Sequence, residues 1–359
     1  MPLPVWLIPL ALKGAAVTAG AVGVGSAVHG AKKVKDANDT MKAANSRHEK
    51  NIAKFEKENE ITSKAMDKLG KLELEILHSF SEFSDVFEQI KNRPIFENYS
   101  KNGVTLPKYD SEKIKEVSVG AGVLLGGLGG ASLGVAGGFA AAGATTAAVM
   151  VWGTASTGTA IASLSGAAAT NATLALLGGG TLAMGGGGMV AGAATLSATT
   201  LGVGVLVSGI IFNFTGEQLS NKADDAWEQV KKNEAKINTI CNYLLELRET
   251  SNGFYNMLFE VSTIYQQYFN RMKNIVTVLR HKDWNTFSPE EKRVVENTVL
   301  LVGLLYNMCK VELVLKGKKE DEMNSINKTE VIKSINNANT VLVDTLGYYN
   351  KSKFKFSEK

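Results

Sequence analysis

The sequence predicts an all-α protein, with long antiparallel amphipathic helices around a central apolar helical hairpin rich in glycine and alanine. Three observations predict it. From Val117 to Gly216, one hundred consecutive residues contain no Asp, Glu, Lys, Arg, His or Pro. On either side, the charged flanks repeat apolar residues in alternating steps of three and four, the spacing of a helical seam. Inside the charge-free block, Gly122, Gly126, Gly130, Gly134 and Gly138 recur at every fourth residue.

Averages hide this division. The chain has 359 residues, is 45% hydrophobic and 21% charged, and carries a formal charge of +4. Its mean hydropathy is −0.01. Those values suit a globular protein of about two to three domains. They exclude a largely disordered chain, and glycine without a three-residue period excludes a collagen. Two cysteines exclude a disulfide-stapled scaffold and fit free thiols in a reducing compartment. The 39 basic and 35 acidic residues leave no bias toward nucleic acid. Yet 25 of the 36 glycines lie in the block, and every charge lies outside it.

A surface without charge is not a normal solvated surface. Either the block lies in a bilayer or other parts of the chain cover it. A bilayer span takes about 20 mainly apolar residues, so the block is long enough for up to about four. It divides at its glycines. The first stretch is 117–151, long for one span, with a candidate break at Gly137-Gly138. Trp152 to Gly158 reads as a turn carrying an interfacial aromatic. The second stretch is 159–177. Gly178, Gly179 and Gly180, with Gly185 to Gly188, bracket a flexible connection before the third stretch, 189–214.

Residues i and i+4 share one helix face. The five-glycine register therefore predicts a flat face where a neighbouring backbone approaches closely, and Gly188 and Gly192 add one more such pair. In water these glycines cost about 1 kcal/mol each relative to alanine. In lipid a spanning segment is nearly obliged to be helical. Small side chains dominate the block, so insertion would be marginal, which suits a protein with both a shielded and an inserted state. The flanks carry 18 basic and 16 acidic residues before the block and 21 and 19 after it. With no positive-inside asymmetry, an even number of spans with both flanks on one side is expected.

Residues 31–92 read as one long amphipathic helix. His48, Asn59 and Thr62 interrupt its seam, and Pro94 ends it. Asn102-Gly103 and Pro107 mark a connecting loop. Residues 217 to about 281 form a second long helix, with Gly253 a candidate kink; antiparallel packing on the first is the economical arrangement. Ser288-Pro289-Glu290-Glu291 is a capping box that opens a helix to about Leu315. A charged linker, 317–327, leads to a last helix over 329–349 and a basic tail. The organisation expected is thus 1–30, an apolar segment; 31–116, helix and loop; 117–216, the glycine-zipper hairpin; and 217–359, amphipathic helices and tail. In the first thirty residues, small residues recur at Ala15, Ala19, Gly23, Ala27 and Ala31. No basic region precedes Leu3–Leu12, and Pro4 and Pro9 interrupt it, which fits poorly with a cleavable signal peptide. The segment reads as one that contacts membrane or packs on a partner.

No residue pattern points to catalysis, a cofactor or a metal. His29, His48, His78 and His281 lack partners at metal-ligand spacing. Cys241 and Cys309 fall in apolar helical registers. The glycine clusters lack the Gly-Lys-Ser/Thr of a phosphate loop, and no acidic residue follows at dinucleotide-fold distance. No base accompanies Ser156, Ser163 or Ser165.

The stretch Thr157 to Ala175, with Leu177-Gly178-Gly179-Gly180 and Gly185 to Met189, resembles a set of largely uncharacterised bacterial proteins, as does Gly30 to Asn38. That likeness covers most of residues 14–260. In layout the chain is similar to the apolipoprotein L family and to colicin-like proteins. The resemblance implies membrane insertion with channel or membrane-disrupting activity and carries no catalytic motif. The reading that follows is a non-enzymatic, membrane-inserting helical protein, cytoplasmic or at the inner membrane. Its expected partners are the lipid bilayer and a second helical chain, with no nucleotide or nucleic acid. A membrane-anchored coiled-coil scaffold is the alternative.

Overall fold

The computed structural model describes residues 24–128, 135–149, 219–315 and 324–347. Among the described residues it is 80% helical with few short strands, as an all-α class requires. Helix α1 spans Val24–Phe87. Strands β1 (Tyr99–Lys101) and β2 (Val104–Leu106) precede helices α2 (Ser111–Leu128) and α3 (Val135–Ala142). Helix α4 is Leu219–Lys273, α5 is Pro289–Met308 and α6 is Lys328–Thr340. A two-residue pair, β3 (Val314–Leu315) and β4 (Ser325–Ile326), lies between α5 and α6. The chain divides into two compact units, Met1–Thr62 with Val205–Glu246 and Ser63–Gly204 with Leu247–Lys359. These boundaries cut α1 and α4 and do not coincide with divisions at 30, 116 and 216.

In the first unit, residues 24–62 of α1 pack on residues 219–246 of α4. Their shared core is narrow: Ala37, Ala44 and Phe55 on one side, Ala223, Ala226, Val230, Ile237, Ile240 and Leu244 on the other. Asn233 is buried there with no hydrogen bond to either side-chain atom. Thr62, one of the residues that interrupt the seam, is satisfied by donating to the Leu244 carbonyl at 3.1 Å. Arg47 pairs with Glu234 at 2.7 Å and lies 5.3 Å from the Trp227 ring centre. Lys54 donates to Asn238 Oδ1 at 2.8 Å. Contacts thus advance together along both helices, 47 with 234, 54 with 238, 62 with 244.

The second unit repeats that direction. The Phe80 and Tyr265 rings meet at 6.0 Å, Phe83 and Phe269 at 6.2 Å, and Asn92 bonds Asp283 at 3.1 Å. The two long helices therefore run parallel, which corrects the antiparallel arrangement read from the sequence. Seam spacing identifies the buried face of a helix and is silent on the direction of its partner. A parallel pair needs a connection that travels back along it, and the start of the charge-free block does so. Lys115 meets Glu88 at 2.9 Å, Ser118 Oγ donates to the His78 carbonyl at 2.7 Å, and the Gly137 N–H donates to Asp67 at 2.8 Å. The core here is aromatic and large, with Phe80, Phe83, Phe87, Phe254 and Tyr265 all but inaccessible.

Several boundaries differ from the sequence reading for local reasons. Helix α1 stops at Phe87, not 92, because Arg93 Nη1 donates to the Glu88 and Ile90 carbonyls while Asn92 turns to φ 55°. Helix α4 passes unbroken through Gly253 and ends at Lys273 in a wide π turn, Asn274–Val278. Asn102 (φ 52°) and Gly103 (φ 78°) form the turn of a hairpin that pairs Lys101 with Val104. An Asn-Gly pair favours that left-handed geometry. The capping box is present as expected. Ser288 Oγ accepts from the Glu291 N–H at 3.2 Å, and Glu291 accepts from the Ser288 N–H at 2.8 Å. Helix α5 nonetheless ends at Met308, seven residues before Leu315. Helix α6 closes in a second π turn, Val341–Thr345, four residues before Tyr349.

Two outcomes follow from this architecture. In a Lys54→Cys/Asn238→Cys variant, a short bis-maleimide should link the two positions within one chain; no link at any reagent length under a few bonds would contradict the parallel pairing. Ser288→Ala should lower stability in chemical denaturation by about 1 kcal/mol, the usual cost of a lost cap.

Candidate functional site

The described start of the block is seated in the second unit on one face of α1. Met66, Gly70, Glu73 and Leu77 are buried at spacings of four, three and four, which places them on one face. A Cβ on Gly70 would overlap the Ala136 carbonyl oxygen, and one on Gly137 would stand 2.7 Å from Met66 Cβ. Helices α1 and α3 therefore touch backbone to backbone. Asp67 accepts the N–H of Gly137, the third residue of α3, and so satisfies from α1 one of the donors left open at that helix's start.

Two further contacts complete the seat. Gly120 of α2 lies against the Ala148 carbonyl, so the block also folds closely on itself. Gly143 (φ 83°) breaks the helix after Ala142, and residues 144–149 resume it. The break expected at Gly137-Gly138 is absent, because both lie within α3. Past the turn, the Thr145 N–H donates at 3.1 Å to the Cys309 carbonyl, one of those left open at the end of α5.

A polar heart lies where these pieces meet. Glu73 is fully buried and, among the described residues, neither of its carboxyl oxygens nor Thr145 Oγ1 has a hydrogen-bond partner. The Cys309 thiol stands 4.0 Å from the Glu73 carbonyl oxygen. Burial pushes the Glu73 carboxyl well above the ordinary carboxylate range. Burial, and secondarily the charge Glu73 would carry, pushes the Cys309 thiol up. The neutral acid is thus the form that fits, since an isolated buried charge is costly. A buried thiol held neutral is a poor nucleophile.

The predicted glycine face is only partly gathered here. Gly122 faces His78, whose Nδ1 would be 2.8 Å from an added Cβ, while a Cβ added at Gly126 would meet nothing within 4 Å among the described residues. Gly138 is buried in α3. Gly130, Gly134, Gly188, Gly192, Trp152, Gly158, Gly178, Gly179 and Gly180 lie outside the described residues. The tightest approaches fall instead at Gly70, Gly120 and Gly137, which the fourfold register passes over. For Gly70 the signal was a glycine inside the buried face of a charged helix. Cys241 and Cys309 are buried free thiols. Among the described residues no cluster of His, Cys, Asp and Glu could hold a metal, and no helix is long and apolar enough to cross a membrane.

A groove of about 800 Å³ opens between the β1–β2 hairpin, the start of α2 and α5. Leu106, Ile114, Val299 and Val302 form its apolar wall, and Glu97, Asp110, Glu112 and Glu296 face Lys108, Lys113 and Lys310 around it. Lys310 Nζ lies 4.4 Å from the Tyr306 ring centre, and burial, then Lys113, lowers its pKa. No histidine or cysteine lines the groove.

The seat makes two sharp demands. Gly70→Val should destabilise the protein by ~1–3 kcal/mol through overpacking, whereas Gly126→Ala should be neutral or stabilising by up to ~1 kcal/mol; thermal unfolding distinguishes them. Because its folded pKa is raised, Glu73 favours the fold most below the ordinary carboxyl value of 4.5, and that contribution falls as pH rises above it. Glu73→Met should therefore stabilise the protein at pH 8 more than at pH 4, and an equal change at both pH values would contradict the assignment.

No family model, no curated protein and no solved structure matches the chain.

Proposed function

We propose that this is a membrane-inserting helical protein whose bundle shields an apolar block and releases it into a bilayer, there to permeabilise it. One observation carries the reading. A hundred-residue sequence without a charge begins in a seat made of backbone contacts at Gly70, Gly120 and Gly137 and a few hydrogen bonds. The seated residues bury Val117, Leu124 and Phe139 but otherwise mainly alanine and glycine, so undocking costs less than unpacking the aromatic core beside them. The charge-free hairpin, 117–216, supplies the bilayer segments in this proposal, with the glycine register from Gly122 to Gly138 as their packing face.

A second reading, a membrane-anchored coiled-coil scaffold, draws on the long parallel pair α1 and α4. The two separate by leakage: a permeabilising protein empties dye-loaded liposomes, and a scaffold binds them intact. Gly126→Leu/Gly130→Leu is the informative variant, because a Cβ added at Gly126 meets nothing within 4 Å among the described residues. It should lose most dye release while keeping its thermal stability. Release equal to the parent's would remove the glycine face from the mechanism.

A further inference from the structure

One end of the second unit exposes apolar side chains on a built turn. Helix α4 ends in the π turn Asn274–Val278, closed by the Leu279 N–H on the Asn274 carbonyl at 3.0 Å and the His281 N–H on the Ile275 carbonyl at 3.0 Å. Ile275 and Val276 anchor the turn in the core. Arg280, at φ 59°, then reverses the chain in a conformation that side chains other than glycine seldom adopt. The loop after α1 does the same at Asn92, φ 55°. The two loops are stitched together: the Lys91 N–H donates to the Lys282 carbonyl at 2.7 Å and the Trp284 N–H to the Lys91 carbonyl at 3.0 Å.

These turns hold out the wrong residues for a solvated end. Ile95 is 68% exposed, Val278 68% and Leu279 53%. Among the described large apolar residues only Phe259, at 54%, is comparably open. Around them stand Lys91, Arg93, Arg280 and Lys282; the carboxylates on this end are Asp283, Glu291, which bonds His281 at 2.7 Å, and Glu88, which is paired with Lys115 and also acts on Arg93. Asp283 is itself engaged by the Asn285 N–H and the Asn92 amide. Lys282 bonds the neutral Gln89 amide, and Arg280 is in no ion pair among the described residues. Arg93 caps the end of α1 and Lys91 lies in the field of Asp283, which leaves Arg280 and Lys282 without a carboxylate partner among the described residues. Apolar tips set in a cationic collar match an anionic bilayer surface, where apolar groups enter the interface and cations meet headgroup phosphates and carboxylates. A protein groove would bury the tips equally well but gives no reason for the collar.

We propose that this end of the second unit, with Ile95, Val278 and Leu279 as tips and Lys91, Arg280 and Lys282 as collar, docks on an anionic lipid surface. The proposal takes its partner from the membrane reading above, but it is tested separately. Full-length protein is sedimented with phosphatidylserine/phosphatidylcholine vesicles and with pure phosphatidylcholine vesicles, and dye release is recorded in parallel. Binding should favour the anionic vesicles and weaken with salt. Val278→Ser/Leu279→Ser should weaken it about tenfold, and Ile95→Ser should weaken it independently. Arg280→Gly, which also relaxes the left-handed backbone, should weaken it roughly fivefold. All three sites are exposed, so thermal unfolding no lower than the parent's is the folding control. Parent-like binding by these variants, or no binding of the parent to anionic vesicles, overturns the docking end. Leakage that survives in the variants leaves insertion standing and docking overturned. Tip-dependent binding without leakage leaves docking standing and insertion overturned.

Discussion

The structure of the second unit depends on backbone meeting backbone at three glycines. Helices that pack through side chains keep their axes 8–10 Å apart. At Gly70 on α1, at Gly137 on α3 and at Gly120 on α2 even a methyl group would collide with a neighbouring chain. The block is thus brought close enough for Asp67 to cap α3 and for Thr145 to reach the last carbonyls of α5. The seat holds by shape, a few directed bonds and the burial of Val117, Leu124 and Phe139, while most of the residues it buries are alanine and glycine. A hold of that kind is specific and comparatively easy to undo.

The parallel course of α1 and α4 sets a second constraint. Parallel partners cannot be joined by a short turn, so the chain between them must return along the pair, and the first part of the charge-free block makes that journey along α1. The two units then differ in what fills the seam. The first packs alanines, a buried Asn233 and a few aliphatic side chains. The second packs phenylalanine and tyrosine rings, Phe83 on Phe87 at 5.3 Å and Tyr265 on Phe269 at 5.8 Å. Local stability follows buried apolar contact, so the second unit is the firmer of the two.

Titration adds a chemical handle to the seat. Glu73 shares its buried face of α1 with Gly70 and Met66, and the only titratable group shown beside it is the Cys309 thiol. Neither can carry charge there cheaply, so the seat favours its neutral form. The exposed end, by contrast, is arranged around permanent charge. Seat and docking end are thus separate devices in the second unit, one governed by protonation and the other by ionic strength.

The sequence by itself determined the helical class, the charge-free block, the seam residues and the capping box at Ser288, because each is written in local spacing: apolar period, absence of charge, or a Ser and a Glu three residues apart. It also located the polar interruption at Thr62. Only the tertiary structure decided the direction of the long helices, since a seam looks alike from either end. Only it selected Gly70, Gly120 and Gly137 as the close contacts, since which glycine meets a backbone depends on how two helices cross and not on the register within one. The burial of Glu73 is of the same kind: in sequence it is one more carboxylate in a charged helix, and in space it lies beside Cys309, 236 residues away.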